Sequence, residues 1–192
     1  MKIRKGFVSN SSSSSFVVGF KKIPQTIEEM IYILFDYENG DTHRGSNWGD
    51  ECYYAYEIAE QAFNDLKDKT PINDEEIINV INSGWFDGSP EFSHIGKESW
   101  KFRCSFKKEN GVSVYDDEEA YKKYIDLYNI ENEELYRKIR EAAKNLFIKE
   151  KSKFKDCSVF NFSYGDEDGQ FMSVMEHGDI FIRLPNIQIS HH

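Results

Sequence analysis

SSSSSFVVGF, residues 11–20, joins a run of serines to a short apolar stretch. The apolar half is rich in aromatic and β-branched side chains, which favour a β-strand. A second strand-like stretch, residues 6–8, precedes the serines, so the serines form either a loop between two strands or a flexible leader. We predict that residues 1–20 are a Ser-rich leader with the first strands, and that residues 21–192 are a single α+β domain.

Five segments after residue 20 have the pattern of helices. Thr26 and Asn73 each stand three residues before a glutamate, which is the spacing of a capping box, and apolar residues at helical spacing follow both. Acidic or amide residues also stand at the start of three further segments, at Asp50, Asp116 and Asn132. The last two predict separate helices, the second of them over residues 132–151.

Strand patterns occur at residues 100–115 and in the last quarter of the chain. Phe160, Phe162 and Tyr164 alternate with polar residues, which is typical of a half-buried strand. A turn is predicted at residues 165–169 and a return strand at 171–175. Further extended segments are predicted at residues 180–184 and 187–189. This order of elements predicts an α+β fold, in which about five helices pack against an antiparallel or mixed sheet.

The charge balance is acidic, with 34 Asp and Glu against 24 Lys and Arg and a net charge of -10. General nucleic-acid binding and adsorption to anionic membranes are disfavoured, because both need clustered cations. A protein partner with a basic surface is favoured instead. No apolar run is long enough for a membrane span. The three cysteines form no Cys-x-x-Cys pair, so we expect reduced thiols and a cytoplasmic location.

The strongest candidate site lies near the C-terminus, where acids and histidines are close in sequence. Glu176, His177 and Asp179 form one group, and in an extended segment His177 and Asp179 would point to the same side. Carboxylates and imidazoles bind Zn, Mn or Fe, so the sequence predicts a divalent-metal site with Glu176 as the catalytic acid or base. The predicted ligands are Asp166, Asp168, His177, Asp179, His191 and His192. The alternative is a pair of solvated turns and a frayed terminus.

A second candidate is the polar, glycine-rich segment between the first two predicted helices. Such loops often carry binding residues. The predicted binding-loop residues are Asp41, His43, Arg44, Asn47 and Trp48. The spacing does not fit a calcium-binding EF-hand, because His43 and Gly45 occupy positions that need oxygen ligands. A solvated connector to the next helix is the alternative interpretation.

Two stretches resemble those of known but uncharacterised proteins. GFVSNSSSSSF, residues 6–16, resembles a leader found on proteins of phages and low-GC bacteria. EHGDIF, residues 176–181, with the later LPNIQISHH, residues 184–192, resembles the C-terminal end of one such family. The resemblance implies a location in the cytoplasm of a bacterial host and native terminal histidines. It carries no established catalytic role.

These observations predict a phage-type accessory protein that acts by binding a host or phage macromolecule, for example as an inhibitor of a host enzyme or a defence system. One alternative is a small metal-dependent hydrolase or nucleotide-handling enzyme that uses the C-terminal Asp/His cluster. Another is a virion or scaffold component. The sequence leaves open whether the protein is an enzyme, because no nucleotide P-loop and no nucleophile elbow is present.

Overall fold

A computed structural model describes residues 13–36, 43–45, 52–83, 118–165 and 171–190. The chain divides into two compact units, one formed by Met1–Trp85 with Glu150–His192 and the other by Phe86–Lys149. In chain order the described elements are β1 (Ser13–Phe20), α1 (Ile27–Phe35), β2 (His43–Gly45), β3 (Cys52–Tyr54), α2 (Ala55–Lys67), α3 (Asp74–Ser83), α4 (Glu118–Glu150), a 3-10 helix (Lys151–Phe154), β4 (Ser158–Gly165), α5 (Met172–His177) and β5 (Asn186–Ser190). That residues 21–192 form a single domain stays a prediction.

The main sheet is built around β1, which lies between β4 and β5 and is antiparallel to both. β1 pairs with β4 along its whole length, from Ser13 opposite Gly165 to Phe20 opposite Ser158. β2 and β3 form a separate antiparallel pair. With five α-helices among the described residues, the predicted α+β fold with an antiparallel sheet is confirmed.

Strand β1 is buried along all of its length except Ser13. A strand in the middle of a sheet that is covered on both faces needs buried side chains at consecutive positions, and Phe16, Val17 and Val18 supply them. Ser14 and Ser15 are also buried within the strand. The serine run is therefore not a loop at residues 13–15, because β1 begins inside it.

Aromatic rings fill one face of the sheet. Directly opposed residues of antiparallel strands share a face, so Phe16 lies beside Phe162 and Val18 beside Phe160. Phe162 and Phe181 have ring centroids 4.9 Å apart. Side chains of α1 and α2 belong to the same buried cluster, which makes this face the main core.

The predicted helix starts at Thr26 and Asn73 are present in the structure. The Asn73 side chain accepts from the Glu76 N–H at 3.1 Å, and the Glu76 carboxylate accepts from the Asn73 N–H at 2.8 Å. This reciprocal pair is a complete capping box. The Thr26 hydroxyl accepts from the Glu29 N–H at 3.2 Å and caps α1.

Five predicted elements differ from the structure. The helix predicted from Asp50 starts instead at Ala55, because residues 52–54 pair as a strand with β2. The helices predicted from Asp116 and Asn132 are one continuous helix, α4. The predicted return strand at 171–175 is the start of helix α5, and the segment predicted as extended at 180–184 is a series of turns. The hairpin predicted at residues 100–115 lies outside the described residues.

Helix α5 replaces the predicted strand because of which side chains it buries. Val174, Met175 and Glu176 are consecutive and all buried. A strand with one buried face would bury alternate residues, whereas successive helical side chains point about 100° apart, so three adjacent buried residues mean that the helix is enclosed on about half of its circumference. The Met175 N–H bonds to the Phe171 carbonyl at 2.9 Å, which closes the first turn.

The buried Tyr164 predicts how the stability of the fold changes at high pH. Its hydroxyl donates to the Asp65 carboxylate at 3.0 Å, and burial, followed by the charge of Asp65, raises the pKa of Tyr164 well above 10.0. In the unfolded chain the phenol ionises near pH 10, so its contribution to stability is full below about pH 10 and falls as pH rises further. We expect the stability advantage of wild type over Tyr164→Phe, about 1 kcal/mol near neutral pH, to shrink above pH 10. Urea unfolding across this pH range measures it, and an advantage that stays constant would contradict the prediction.

No helix within the described parts of the chain is long and apolar enough to cross a membrane.

Candidate functional site

Glu176 and His177, which the sequence singled out, are in contact at the end of α5. The Glu176 carboxylate is 1% exposed and accepts a hydrogen bond from the Ser14 hydroxyl at 3.2 Å. Its second oxygen lies 3.5 Å from His177 Nε2, and the His177 side chain is 20% exposed. Glu176 therefore connects α5 to the central strand, and it contacts the partly exposed His177.

The chemistry open to this group is proton transfer. A carboxylate with a hydroxyl and an imidazole as partners can hold a proton and pass it to the imidazole. The order of these three groups differs from that of a Ser-His-Asp triad, because here the carboxylate, rather than the histidine, is the middle member. The Gln188 side chain also donates to the Glu176 carbonyl at 3.4 Å, so β5 helps to hold α5 in place.

The extended geometry predicted for His177 and Asp179 is wrong. His177 ends a helix, Gly178 follows it, and Asp179 has a left-handed backbone with φ 52°. A Cβ atom at position 178 would lie only 2.4 Å from the Val174 carbonyl oxygen. Only glycine, which has no Cβ, therefore fits at the end of this helix. The two predicted ligands thus do not share one side of a strand.

The predicted metal site is only partly covered by the described residues. Within those residues, no three His, Cys, Asp or Glu side chains come close enough together to hold a metal. The other four predicted ligands, Asp166, Asp168, His191 and His192, lie outside the described residues. The metal site and a catalytic role for Glu176 stay predictions.

The predicted binding loop is also described only in part. His43 and Arg44 lie in β2, opposite Tyr54 and Tyr53 of β3. Asp41, Asn47 and Trp48 lie outside the described residues. A binding role for this segment stays a prediction.

A cleft of about 560 Å³ lies beside the end of β1, and the sequence did not predict it. Its lining comes from residues 19–22, from Glu29, Tyr32 and Ile33 on α1, from Lys153, and from residues 183–185. This volume is typical of sites that bind a ligand or a peptide side chain with its neighbours. The sequence signal that was available is the Lys21-Lys22 pair in an acidic chain.

Backbone contacts fix the two sides of this cleft. The Gly19 N–H donates to the Pro185 carbonyl at 2.8 Å. A Cβ atom at position 19 would lie 2.9 Å from the Phe154 side chain and 3.1 Å from that of Cys157. β1 can therefore lie this close to Phe154 and Cys157 only because residue 19 is glycine. The Asn186 amide donates to the carbonyls of Phe181 and Leu184 at 2.8 and 2.9 Å, which holds the turns before β5.

Four cations and one carboxylate line the cleft, in a chain with a net charge of -10. Lys22 contacts the Glu29 carboxylate at 2.5 Å, and this hydrogen bond, followed by one from the Gln25 N–H, lowers the pKa of Glu29. Arg183 contacts Asp36 at 3.1 Å, and Lys153 contacts Glu150. The cleft therefore differs in charge from the chain as a whole.

Exposed apolar side chains adjoin the cleft. Tyr32 lines it and is 46% exposed, and Ile23 follows Lys22 in the chain. Ile182 is 72% exposed and lines a neighbouring cavity of about 230 Å³, to which Arg183 also contributes. We call the cleft together with Ile23 and Ile182 the cleft face.

No family model matches the chain, and no curated protein or solved structure matches it either. The resemblance to uncharacterised phage and low-GC bacterial proteins therefore stays a prediction.

Proposed function

We propose that the protein is an accessory protein that acts by binding another protein through the cleft face. The observation that carries the proposal is the combination of exposed apolar side chains with a cationic cleft. Isolated exposed isoleucines are ordinary on protein surfaces, but Ile182 lines a cavity together with Arg183, and Arg183 also lines the cleft with Tyr32. Tyrosine and arginine beside a recess are the residues that most often dominate the energy of a protein interface.

Arg183 is already ordered for such a contact. Its guanidinium contacts Asp36 at 3.1 Å, and this partly exposed ion pair restricts the side chain before any partner arrives. Binding then costs less side-chain entropy than ordering a free arginine would. Burial of Ile182 against a partner would add about 1.5–3 kcal/mol, the usual contribution of a fully buried large aliphatic side chain.

The substitution Ile182→Asp tests this proposal. It places a charge at the most exposed apolar position among the described residues, and we expect at least a tenfold weaker affinity, about 1.4 kcal/mol, for the partner. The matched control is Ile148→Asp on α4, where the isoleucine is 69% exposed and lies outside the cleft face. The partner is first captured from a lysate of the encoding organism, and its affinity for each variant is then measured with purified proteins.

The two variants separate the cleft face from general surface effects. Equal affinity of Ile182→Asp and Ile148→Asp for the partner would contradict a role for the cleft face. The metal-dependent hydrolase and the virion or scaffold component stay predictions, because the described residues add no observation that favours either over binding.

A further inference from the structure

We infer that the occupant of the cleft is an extended acidic segment of the partner that carries an apolar side chain among its carboxylates. The inference rests on the proposed function and adds the chemistry of the bound segment. It differs from the expectation drawn from the net charge, which favoured a basic partner surface. The local arrangement of cations is the reason for the difference.

The cations of the cleft are not all neutralised. Three of them have a carboxylate partner: Lys22 has Glu29, Arg183 has Asp36 and Lys153 has Glu150. Lys21 also lines the cleft, and no described residue forms an ion pair with it. Within the described part of the chain, Lys21 is thus left to pair with a ligand next to an apolar surface, where an incoming carboxylate would be less screened than in open water.

The paired cations keep hydrogen-bond donors for a ligand. A guanidinium has five N–H donors and an ammonium has three. The contacts of Arg183 and Lys22 with described carboxylates use one nitrogen each. A second carboxylate can therefore be bound without displacing Asp36 or Glu29.

The remaining lining suits an apolar side chain. Ile33, Leu184 and Pro185 are half-buried there, and Tyr32 presents part of its ring. Ile23 and Ile182 extend the apolar surface beyond the cleft. A small anion would cover none of this outer surface, whereas an extended segment would bury it and place neighbouring carboxylates near Lys21 and Arg183.

The net charge of -10 does not prevent such binding. At physiological salt, charges are screened over about 8 Å, so an acid farther than this from the cleft has little effect on a group inside it. Repulsion at long range slows the encounter, and the short-range contacts decide the affinity. Binding of this kind weakens as salt is added.

The test uses the full chain and a short fluorescein-labelled peptide in which aspartates and glutamates flank one phenylalanine. Fluorescence anisotropy measures its affinity for wild type, for Lys21→Glu and for Lys144→Glu. Lys144 is an exposed lysine on α4 outside the cleft, so its substitution makes the same charge change elsewhere. We expect Lys21→Glu to bind at least about tenfold more weakly than wild type, and Lys144→Glu to bind within about twofold of it.

Companion peptides separate charge from apolar contact. Replacing the acids by lysines, or the phenylalanine by alanine, should weaken binding to wild type. The inference is overturned if the peptide with lysines binds wild type as well as the acidic peptide does, or if Lys21→Glu and Lys144→Glu weaken binding of the acidic peptide equally. It is also overturned if inorganic phosphate alone displaces the acidic peptide at low millimolar concentration. The last result would show a small-anion site instead.

Failure of the inference and failure of the proposed function give different results. If Ile182→Asp weakens partner binding while the acidic peptide does not bind wild type, the cleft face binds a partner of other chemistry and only the inference fails. If the acidic peptide binds through Lys21 but partner binding is unaffected by Ile182→Asp, the cleft chemistry is supported and the proposed interface fails.

Discussion

Phe162→Ala is expected to lower the free energy of unfolding by about 3–5 kcal/mol, the usual cost of truncating a buried phenylalanine. Phe162 is 0% exposed on β4, and its ring lies 4.9 Å from that of Phe181 and 6.4 Å from that of Phe20. The substitution removes one ring from the aromatic layer that lies between the main sheet and helices α1 and α2. Because domains are stable by about 5–15 kcal/mol, this loss is a large part of the total.

Urea unfolding followed by circular dichroism measures this effect. The control is Ser163→Ala, the next residue on the same strand, which is exposed and should change stability by no more than about 0.5 kcal/mol. A loss below about 1.5 kcal/mol for Phe162→Ala would mean that the aromatic layer repacks and is not the main core.

Glu176→Ala has the second-largest expected effect, a loss of about 2–4 kcal/mol from a cavity and an unpaired buried hydroxyl. Truncation removes the acceptor of the Ser14 hydroxyl and the neighbour of His177 Nε2. Part of the loss is offset, because a buried carboxylate no longer has to be desolvated. Glu176→Gln keeps the shape and an acceptor for Ser14, so its loss should be the smaller one.

Thermal and urea unfolding of both variants test this role, with Glu141→Ala on α4 as the exposed control. Losses that are equal for Glu176→Ala and Glu176→Gln would show that the charge, rather than the shape and the Ser14 contact, stabilises α5. A neutral Glu176→Ala would contradict a structural role and strengthen the case for a catalytic one.

Local patterns predicted the elements whose causes are local. The Asn73 capping box and the alternation of Phe160, Phe162 and Tyr164 each depend on a few neighbouring residues, and both are present in the structure. Helix α5 was missed because the pattern of the short, mostly apolar run from Phe171 to Met175 does not distinguish a buried strand from a helix. Only contact with the sheet decides between them.

The site depends on residues that are distant in the chain, and this limited the prediction. The acid and the histidine at 176 and 177 stood out in sequence, but the Ser14 partner did not. The cleft was missed because its cations come from the bend after β1, the 3-10 helix and the turns before β5. No spacing rule relates Lys21 to Arg183, since only the fold brings them to one recess.

The position of β1 has a consequence for how the protein is made. β1 is synthesised before both strands that pair with it, and Ser14 is 162 positions from Glu176. Helices α1 to α4 are all synthesised before β4, and α5 is synthesised before β5. During translation the apolar residues of β1 therefore lack sheet partners, and unpaired strands are prone to aggregate at this stage. Pairings between residues this far apart in the chain favour slow folding.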